Sequence, residues 1–491
     1  MPAKTAGIFY FYSRRAYKKC NLKVRSSNEK GGYSAMMEEL LIGTCKCSVT
    51  KNKTLLIRPA EGETGRLYLD DPLDEWPWDK GIRRVKMFGR IIAGKDLSGM
   101  FDGCRRLKDI TSLANMDVSG VKNMEHMFDG CWSIKSLSPL AGWDVSHVEN
   151  MQHMFYGCMS LKTLDPLAGW DVSRVENMEA MFKYDISLTD ISALSGWDTK
   201  NTVSMDSMFF SCEQVENFSA LTDWNTGSLA TVEDMFCSCR SMKNTAHLSK
   251  WDISGITVMD GLFRRCYFLT DISALSEWDT CNIQSMNDMF YQCSLLSDIS
   301  PIAKWNVGNV RTMSGMFYGC CSLKDISPLS GWDTGNVMSM NYMFDQCTFV
   351  TDTSAVKNWN ADHLVEAEEM FREGTDNPLW EKVPMACPRT GSFTGWKKCC
   401  GGKVVKLLIP EDARRSSAFG KKCRCDKAKV LQISDPDGTP VETAVSIRRY
   451  DFIYRVGELI SVPNFNTDRF AECAPGIHFF VEKKDAEKYF G

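Results

Sequence analysis

Apolar positions in the middle of the chain keep a fixed register. Phe stands at 101, 128, 155, 182, 209, 236, 263, 290, 317, 344 and 371, always 27 residues apart, with no insertion or deletion. Trp does the same at 143, 170, 197, 224, 251, 278, 305, 332 and 359, with Met116 in the first slot. Repetition at a fixed period of this size means a solenoid, a propeller or an array. The Trp143-Asp144 and Trp170-Asp171 pairs invite a WD40 reading, but such blades need about 40–45 residues for their four strands, which 27 cannot supply.

Within one unit, Val121, Met124, Met127, Phe128 and Cys131 fall at offsets 0, 3, 6, 7 and 10. On a 3.6-residue period these offsets cover an arc of roughly 120°, which predicts a short amphipathic helix. Ser119 marks its start, and the next two units place a capping box there, Ser146 with Glu149 and Ser173 with Glu176. Gly130 marks its end. Ile134, Leu137 and Leu140 follow at intervals of three, predicting a short extended segment before a corner at Trp143-Asp144. The expected fold is therefore an α/β solenoid of about ten coils. At ~4.8 Å per strand it would run roughly 50 Å. No single coil can stand alone, so stacking must supply the stability.

Cysteine changes the picture next. Nine of the 21 occupy one register position, three after Phe: Cys104, Cys131, Cys158, Cys212, Cys239, Cys266, Cys293, Cys320 and Cys347, with Asp185 and Gly374 as exceptions. An odd total forbids complete internal pairing. Parallel side chains in a ladder also do not point at one another as a disulfide requires. The column, like the Met column (124, 151, 178, 205, 259, 286, 313, 340), is expected to be core.

The sequence MFDGCWSIKSLSPLAGWDVSHVENM (residues 127–151), repeated in phase over more than half of the chain, resembles the BspA-like leucine-rich repeats, common in bacterial surface proteins including mycoplasma-type lipoproteins. That resemblance implies a right-handed leucine-rich solenoid used for adhesion or protein binding. The N-terminal segment carries no secretory apolar core, only Ile8 to Tyr12, and no apolar run approaches the ~20 residues of a membrane helix. The expected location is thus cytoplasmic or virion-associated, with surface display only by a non-standard route.

Net charge is −4, distributed unevenly: +8 over residues 1–92, −17 over 93–391 and +5 over 392–491. An acidic solenoid argues against nucleic acid along its surface and for a protein partner, a basic one in particular. The second middle residue of each L-x-x-I segment forms a column ending in Asp271, Asp298, Asp325 and Asp352. Four carboxylates one coil apart repel unless a cation or basic peptide lies along them, so they are the candidate partner-binding strip; the alternative is solvated carboxylates neighboured by Lys324. The Asp or Asn after each Trp (Asp144, Asp171, Asp198, Asn225) is expected to bond its own turn. Coils near 210–250 depart most from the pattern, at Glu213-Gln214, Val232, Cys237 and Asn244-Thr245.

The chain divides into an N-terminal region and cap (1–92), the solenoid (93–371), a linker (372–396) and a small α+β domain (397–491). Strand-like runs at 54–57, 66–69 and 82–92 are expected to cover the first coil; the basic pairs Arg14-Arg15 and Lys18-Lys19 receive no role. In the last domain, strands are expected at 404–409, 428–433, 441–447, 452–456 and 477–481, with a turn at Asp437-Gly438 and a helix over 482–489. Its motifs, around Ile409-Pro410-Glu411-Asp412, Lys422-Cys423-Arg424-Cys425 and Glu472-Cys473-Ala474-Pro475-Gly476-Ile477-His478, resemble an uncharacterised domain that follows pentapeptide-type and other repeats in phage and large-virus proteins. Cys423, Cys425, Cys473 and His478 invite a zinc reading at non-standard spacing, weighed against packed core; a nucleophilic Cys473 with His478 as base lacks an orienting acid. The expected function is a non-enzymatic protein-binding scaffold with no cofactor, catalytic residue or resident metal. The alternatives are a zinc-binding or enzymatic C-terminal module targeted by the solenoid, and a cell- or virion-surface adhesin.

Overall fold

The computed structural model describes residues 39–489 apart from 71–74, 79, 368, 373–374, 376, 380–381, 383–385, 389, 418–420 and 467–474. The basic pairs near the N-terminus, Gly374 and Cys473 lie outside the described residues.

The solenoid follows the 27-residue register, with one continuous core from the N-terminal sheet to Leu379. Each coil contributes a Phe, and successive rings stack face to face, Phe128 on Phe155 at 5.7 Å between centroids and Phe317 on Phe344 at 5.5 Å. The Cys, Met and Trp columns are buried beside them. Every described cysteine is a free thiol. Thiols of the column point at the preceding coil and donate to its Phe carbonyl, as Cys131 does to Phe101 (3.2 Å) and Cys347 to Phe317 (3.0 Å). Burial pushes their pKa well above the ordinary value. Each indole likewise donates to a Leu or Ile carbonyl one coil back, Trp143 to Leu113 (3.0 Å) and Trp359 to Leu329 (2.9 Å).

Local conformation departs from the expected helix and strand. Residues 125–130 are a run of turns and 138–140 a 3-10 turn. Along the run, backbone N–H groups alternate. Those of Met124, His126, Phe128 and Gly130 donate to the next coil, at Asn150, Gln152, Met154 and Tyr156, while those of Met127, Asp129 and Cys131 close turns onto the residue three before. His126 (φ 55°) and Gly130 (φ 64°) take the left-handed conformation that makes this alternation possible. The reason is spacing: Phe rings in neighbouring coils lie 5.1–6.1 Å apart, and an α-helix about 10 Å wide cannot repeat at that interval. Flat turns can, and they bond between coils instead of within one. Parallel bridges at Asn123, Asn150 and Asn177 mark the neighbouring extended position.

The N-terminal strands lead into this ladder. Leu40–Ile42, Cys45–Val49, Thr54–Pro59 and Arg84–Met87 form one sheet, the last strand parallel to its neighbour; Thr64–Leu67, Arg90–Ala93 and Met116–Asp117 form a parallel second. The run expected over 82–92 is broken by Gly89 at φ 67°. Trp78 stacks on Phe101 (6.2 Å) and donates to Met100 O (2.8 Å), so the Phe column ends on an indole.

At the other end, seven antiparallel strands lie in the order 415–417, 422–425, 477–480, 393–398, 404–409, 427–434, 459–461, with a helix over Lys483–Lys488. Residues 393–396 are therefore part of this sheet rather than of a linker. No helix among the described residues is long and apolar enough to cross a membrane.

Candidate interaction surface

The four carboxylates of the predicted strip occupy the same register position in successive coils. Asp271, Asp298, Asp325 and Asp352 are all exposed, and each accepts a hydrogen bond from the backbone N–H two residues on, at 2.8–2.9 Å, opening the 3-10 turn of its coil. Asn217 and Asn244 do the same in their coils. Turn chemistry thus accounts for much of the column. The bond to Ser327 holds Asp325 below the usual carboxylate range, and that to Ser354 does so for Asp352, so both stay anionic at neutral pH. The residue after Trp behaves alike, Asp144 bonding Ser146 and Asp171 bonding Ser173.

The zinc grouping in the C-terminal sheet fails on geometry. Cys423 and Cys425 are buried on one face of the strand Lys422–Cys425, whereas His478 pairs with Arg424 between them and projects from the opposite face. The described residues of that set do not converge.

A surface that the sequence reading missed lies along the turn runs. Two columns there vary from coil to coil while the core beneath them changes at few positions. One holds His126, His153, Ser207, Asp234, Asp288 and Tyr342, all at positive φ. The other holds Asp129, Tyr156, Lys183, Phe210, Arg264, Tyr291 and Tyr318. Their side chains touch along the solenoid, with Tyr184 from the slot of Gly130 joining them: His126 on His153 (4.5 Å), His153 on Tyr156 (4.9 Å), Tyr156 against Tyr184 (5.4 Å) and Tyr184 against Phe210 (5.3 Å). Lys183 lies over Phe210 (4.2 Å) and Arg264 over Tyr291 (5.0 Å), which stacks on Tyr318 (4.5 Å). Between the aromatic stretches lies an acidic hollow. Burial raises the carboxyls of Asp206, Glu233, Asp234 and Asp288, and Arg264, 3.4 Å from Asp288, opposes the shift at Asp234 and Asp288. Gly261 and Gly315 leave room for two of these carboxylates, since a Cβ there would meet Asp234 Oδ1 at 2.0 Å and Asp288 Oδ1 at 2.1 Å.

The irregular coils have a packing origin. Phe218 fills a position that is Leu or Ile in most coils, the next coil answers with Thr245, and His247 lays its ring against Phe218 (5.3 Å) and Phe236 (5.2 Å). On the solenoid's flank, a polar groove of about 470 Å³ runs past Asn282, Asn309, Asn336 and His363; each of these bonds a carbonyl of the preceding coil.

Comparison with known proteins agrees with the register. A family model described as "Mycoplasma protein of unknown function, DUF285" matches residues 94–190, 162–273 and 259–378, together more than half of the chain. The chain belongs to this family of BspA-like leucine-rich repeats. A second model, a family of unknown function (DUF5758), matches residues 383–486, taking in the C-terminal sheet. No curated protein matches. Among solved structures, a leucine-rich cell surface protein from Faecalibacterium prausnitzii is 14% identical, with 71% of this chain and 98% of that one covered and a TM-score of 0.27. The Toll–Spatzle complex of Drosophila is 10% identical, with 66% and 55% covered and a TM-score of 0.20. Scores this low leave the description of the fold to this chain's own geometry.

Proposed function

We propose that this DUF285 chain is a non-enzymatic protein-interaction scaffold that docks its partner along the turn-run surface. The observation that carries the reading is the contrast between a core that repeats with few exceptions and two outward columns that hold aromatic, Arg and charged residues differing from coil to coil. Such residues dominate the energetic centres of protein interfaces, and solenoids commonly bind along extended faces. Stacking holds these side chains in place before docking, which lowers the entropy lost on binding. Free thiols at every described cysteine suit a reducing compartment. Parallel bridges one coil apart also favour a right-handed winding, the hand that such connections adopt almost without exception.

The test is affinity capture with the full-length chain. Arg264→Ala/Tyr291→Ala/Tyr318→Ala should lose the proteins that the natural chain retains, with its thermal melt preserved. Retention of the same proteins at the same yield would refute the surface.

A second docking site is supported by one exposed carboxylate in each of four consecutive coils, the strip Asp271, Asp298, Asp325 and Asp352, with a basic peptide as its partner. Here Asn is the informative replacement, because it keeps the acceptor of each turn and removes only charge. The quadruple Asp→Asn variant should weaken binding of a partner captured at low salt. An unchanged affinity, with its salt dependence intact, would remove the strip.

A further inference from the structure

The chain has six His, and two of them occupy successive slots of the positive-φ column. His126 Nδ1 lies 2.7 Å from Asp129 Oδ2, and His153 Nδ1 lies 3.9 Å from the same oxygen. One ligand atom from each of the three residues falls within 4.8 Å of the other two. Both backbones are fixed by the coil ladder, His126 N–H to Gln152 O (2.9 Å) and His153 N–H to Glu179 O (2.8 Å), so the pairing of the rings is built into the fold. We propose that His126, Asp129 and His153 form a binding site for a zinc-class divalent cation, with two imidazole nitrogens and one carboxylate oxygen as ligands.

Three features favour this. Imidazole with carboxylate selects Zn²⁺, Co²⁺ or Ni²⁺ over the all-oxygen preference of Ca²⁺ and Mg²⁺. Bonds of about 2.0–2.2 Å in a tetrahedron put ligand atoms roughly 3.3 Å apart, a spacing between the two N–O distances here, so side-chain rotation alone closes the site. The remaining ring nitrogens also face carboxylates: His126 Nε2 is 3.5 Å from Glu125 Oε1, and His153 Nε2 is 3.9 Å from Glu179 Oε1. Those carboxylates are held in turn by amides, Asn150 Nδ2 on Glu125 (3.2 Å) and Gln152 Nε2 on Glu179 (2.9 Å). An outer shell of this kind orients metal-ligating imidazoles. The site is half-buried on one side and open on the other, leaving a fourth position for water or for a partner's side chain.

The rival is a metal-free cluster in which the two imidazoles only hydrogen-bond Asp129. The two are separated by titrating full-length, chelator-stripped protein with Zn²⁺ under reducing conditions, and with Co²⁺ as a spectroscopic probe. One equivalent should bind, and Co²⁺ should give visible bands without the near-ultraviolet charge-transfer band of a thiolate ligand. Two of the six histidine ring resonances should shift. His126→Asn/His153→Asn, which keeps a residue tolerant of positive φ, should lose at least 100-fold in affinity with an unchanged circular dichroism spectrum. If that variant does not fold, Asp129→Asn serves instead. Glu179→Gln should lose about 10-fold. The proposal is overturned by the absence of saturable binding, by binding that survives in the double variant or in Asp129→Asn, or by a thiolate signature that places the ion on the cysteines.

Discussion

Replacing Phe236 by Ala is expected to cost about 3–5 kcal/mol, the range for emptying a fully enclosed aromatic site. The ring is wholly buried, and its neighbours span three coils: Phe209 at 6.1 Å, Phe263 at 6.0 Å, and Phe218, His247 and Trp251 around its edge. Those neighbours cannot collapse into the space, because each backbone is fixed to the next coil by ladder hydrogen bonds such as Phe209 N–H to Met235 O (3.0 Å) and Phe236 N–H to Leu262 O (3.1 Å). The loss should also have a distinctive form. In a linear array each coil contacts only its neighbours, so weakening one interface uncouples the two sides. Denaturant unfolding should broaden or split into two transitions, and hydrogen exchange should quicken around 209–263 before it does at either end. A loss below about 1 kcal/mol with a single sharp transition would show that the Phe column is not what couples the coils.

The register was legible in the sequence because one contact, Phe on Phe, must recur at every coil, and any insertion would break it. The local conformation was not. Offsets 0, 3, 6, 7 and 10 from Val121 suit a helix, but consecutive turns closing three residues back also turn every third or fourth side chain inward. Only coil spacing decides between them. A sequence signal was nevertheless available: Gly99 with Gly103, and Gly315 with Gly319, stand four apart at matched register, and all four adopt positive φ. Two left-handed residues per coil rule out an α-helix there.

The candidate sites show a similar division. Asp271, Asp298, Asp325 and Asp352 attracted notice as a row of like charges, yet a carboxylate that opens a turn also recurs by register, as Asp109 and Asp190 do. Recurrence at these positions therefore follows first from the turn, and a docking role of the strip is additional to it. Specificity has to be sought in columns that change, such as Asp129, Tyr156, Lys183 and Phe210, which alignment of the coils would have exposed. In the C-terminal sheet, the alternation of Cys423, Arg424 and Cys425 along one strand already separates the thiols from whatever pairs with Arg424. The partner of Arg424, however, depends on long-range strand order that spacing along the chain does not encode.

Asp185 and His247 should give the solenoid opposing pH dependences. Asp185 takes a slot of the Cys column; it is fully buried, and neither carboxylate oxygen has a hydrogen-bond partner. Burial pushes its pKa well above the usual 3.8, with the Cys158 backbone acting the other way, so the folded chain holds its proton at pH values where the unfolded chain has lost it. Unfolding at any pH between about 4 and that raised value releases a proton, and stability falls by about 1.4 kcal/mol for each unit of rising pH. His247 acts with the opposite sign. Its Nε2 is buried without a partner, and burial pushes its pKa down from 6.5 to about 3. Below pH 6.5 the unfolded chain takes up a proton that the folded chain refuses, so its contribution is lost as pH falls. Between about pH 4 and 6.5 the two slopes cancel; above that window only the Asp185 slope remains. Asp185→Cys, which restores the column residue, should therefore stabilise the chain increasingly as pH rises above about 4. His247→Ala, the residue that four other coils carry there (Ala193, Ala220, Ala274 and Ala355), should lose packing at neutral pH and recover relative to the natural chain as pH drops from 6.5 to 4. Urea midpoints of the three proteins across pH 4–8 decide the matter. A difference between Asp185→Cys and the natural chain that stays constant from pH 5 to 7 would mean that Asp185 is ionised in the folded solenoid.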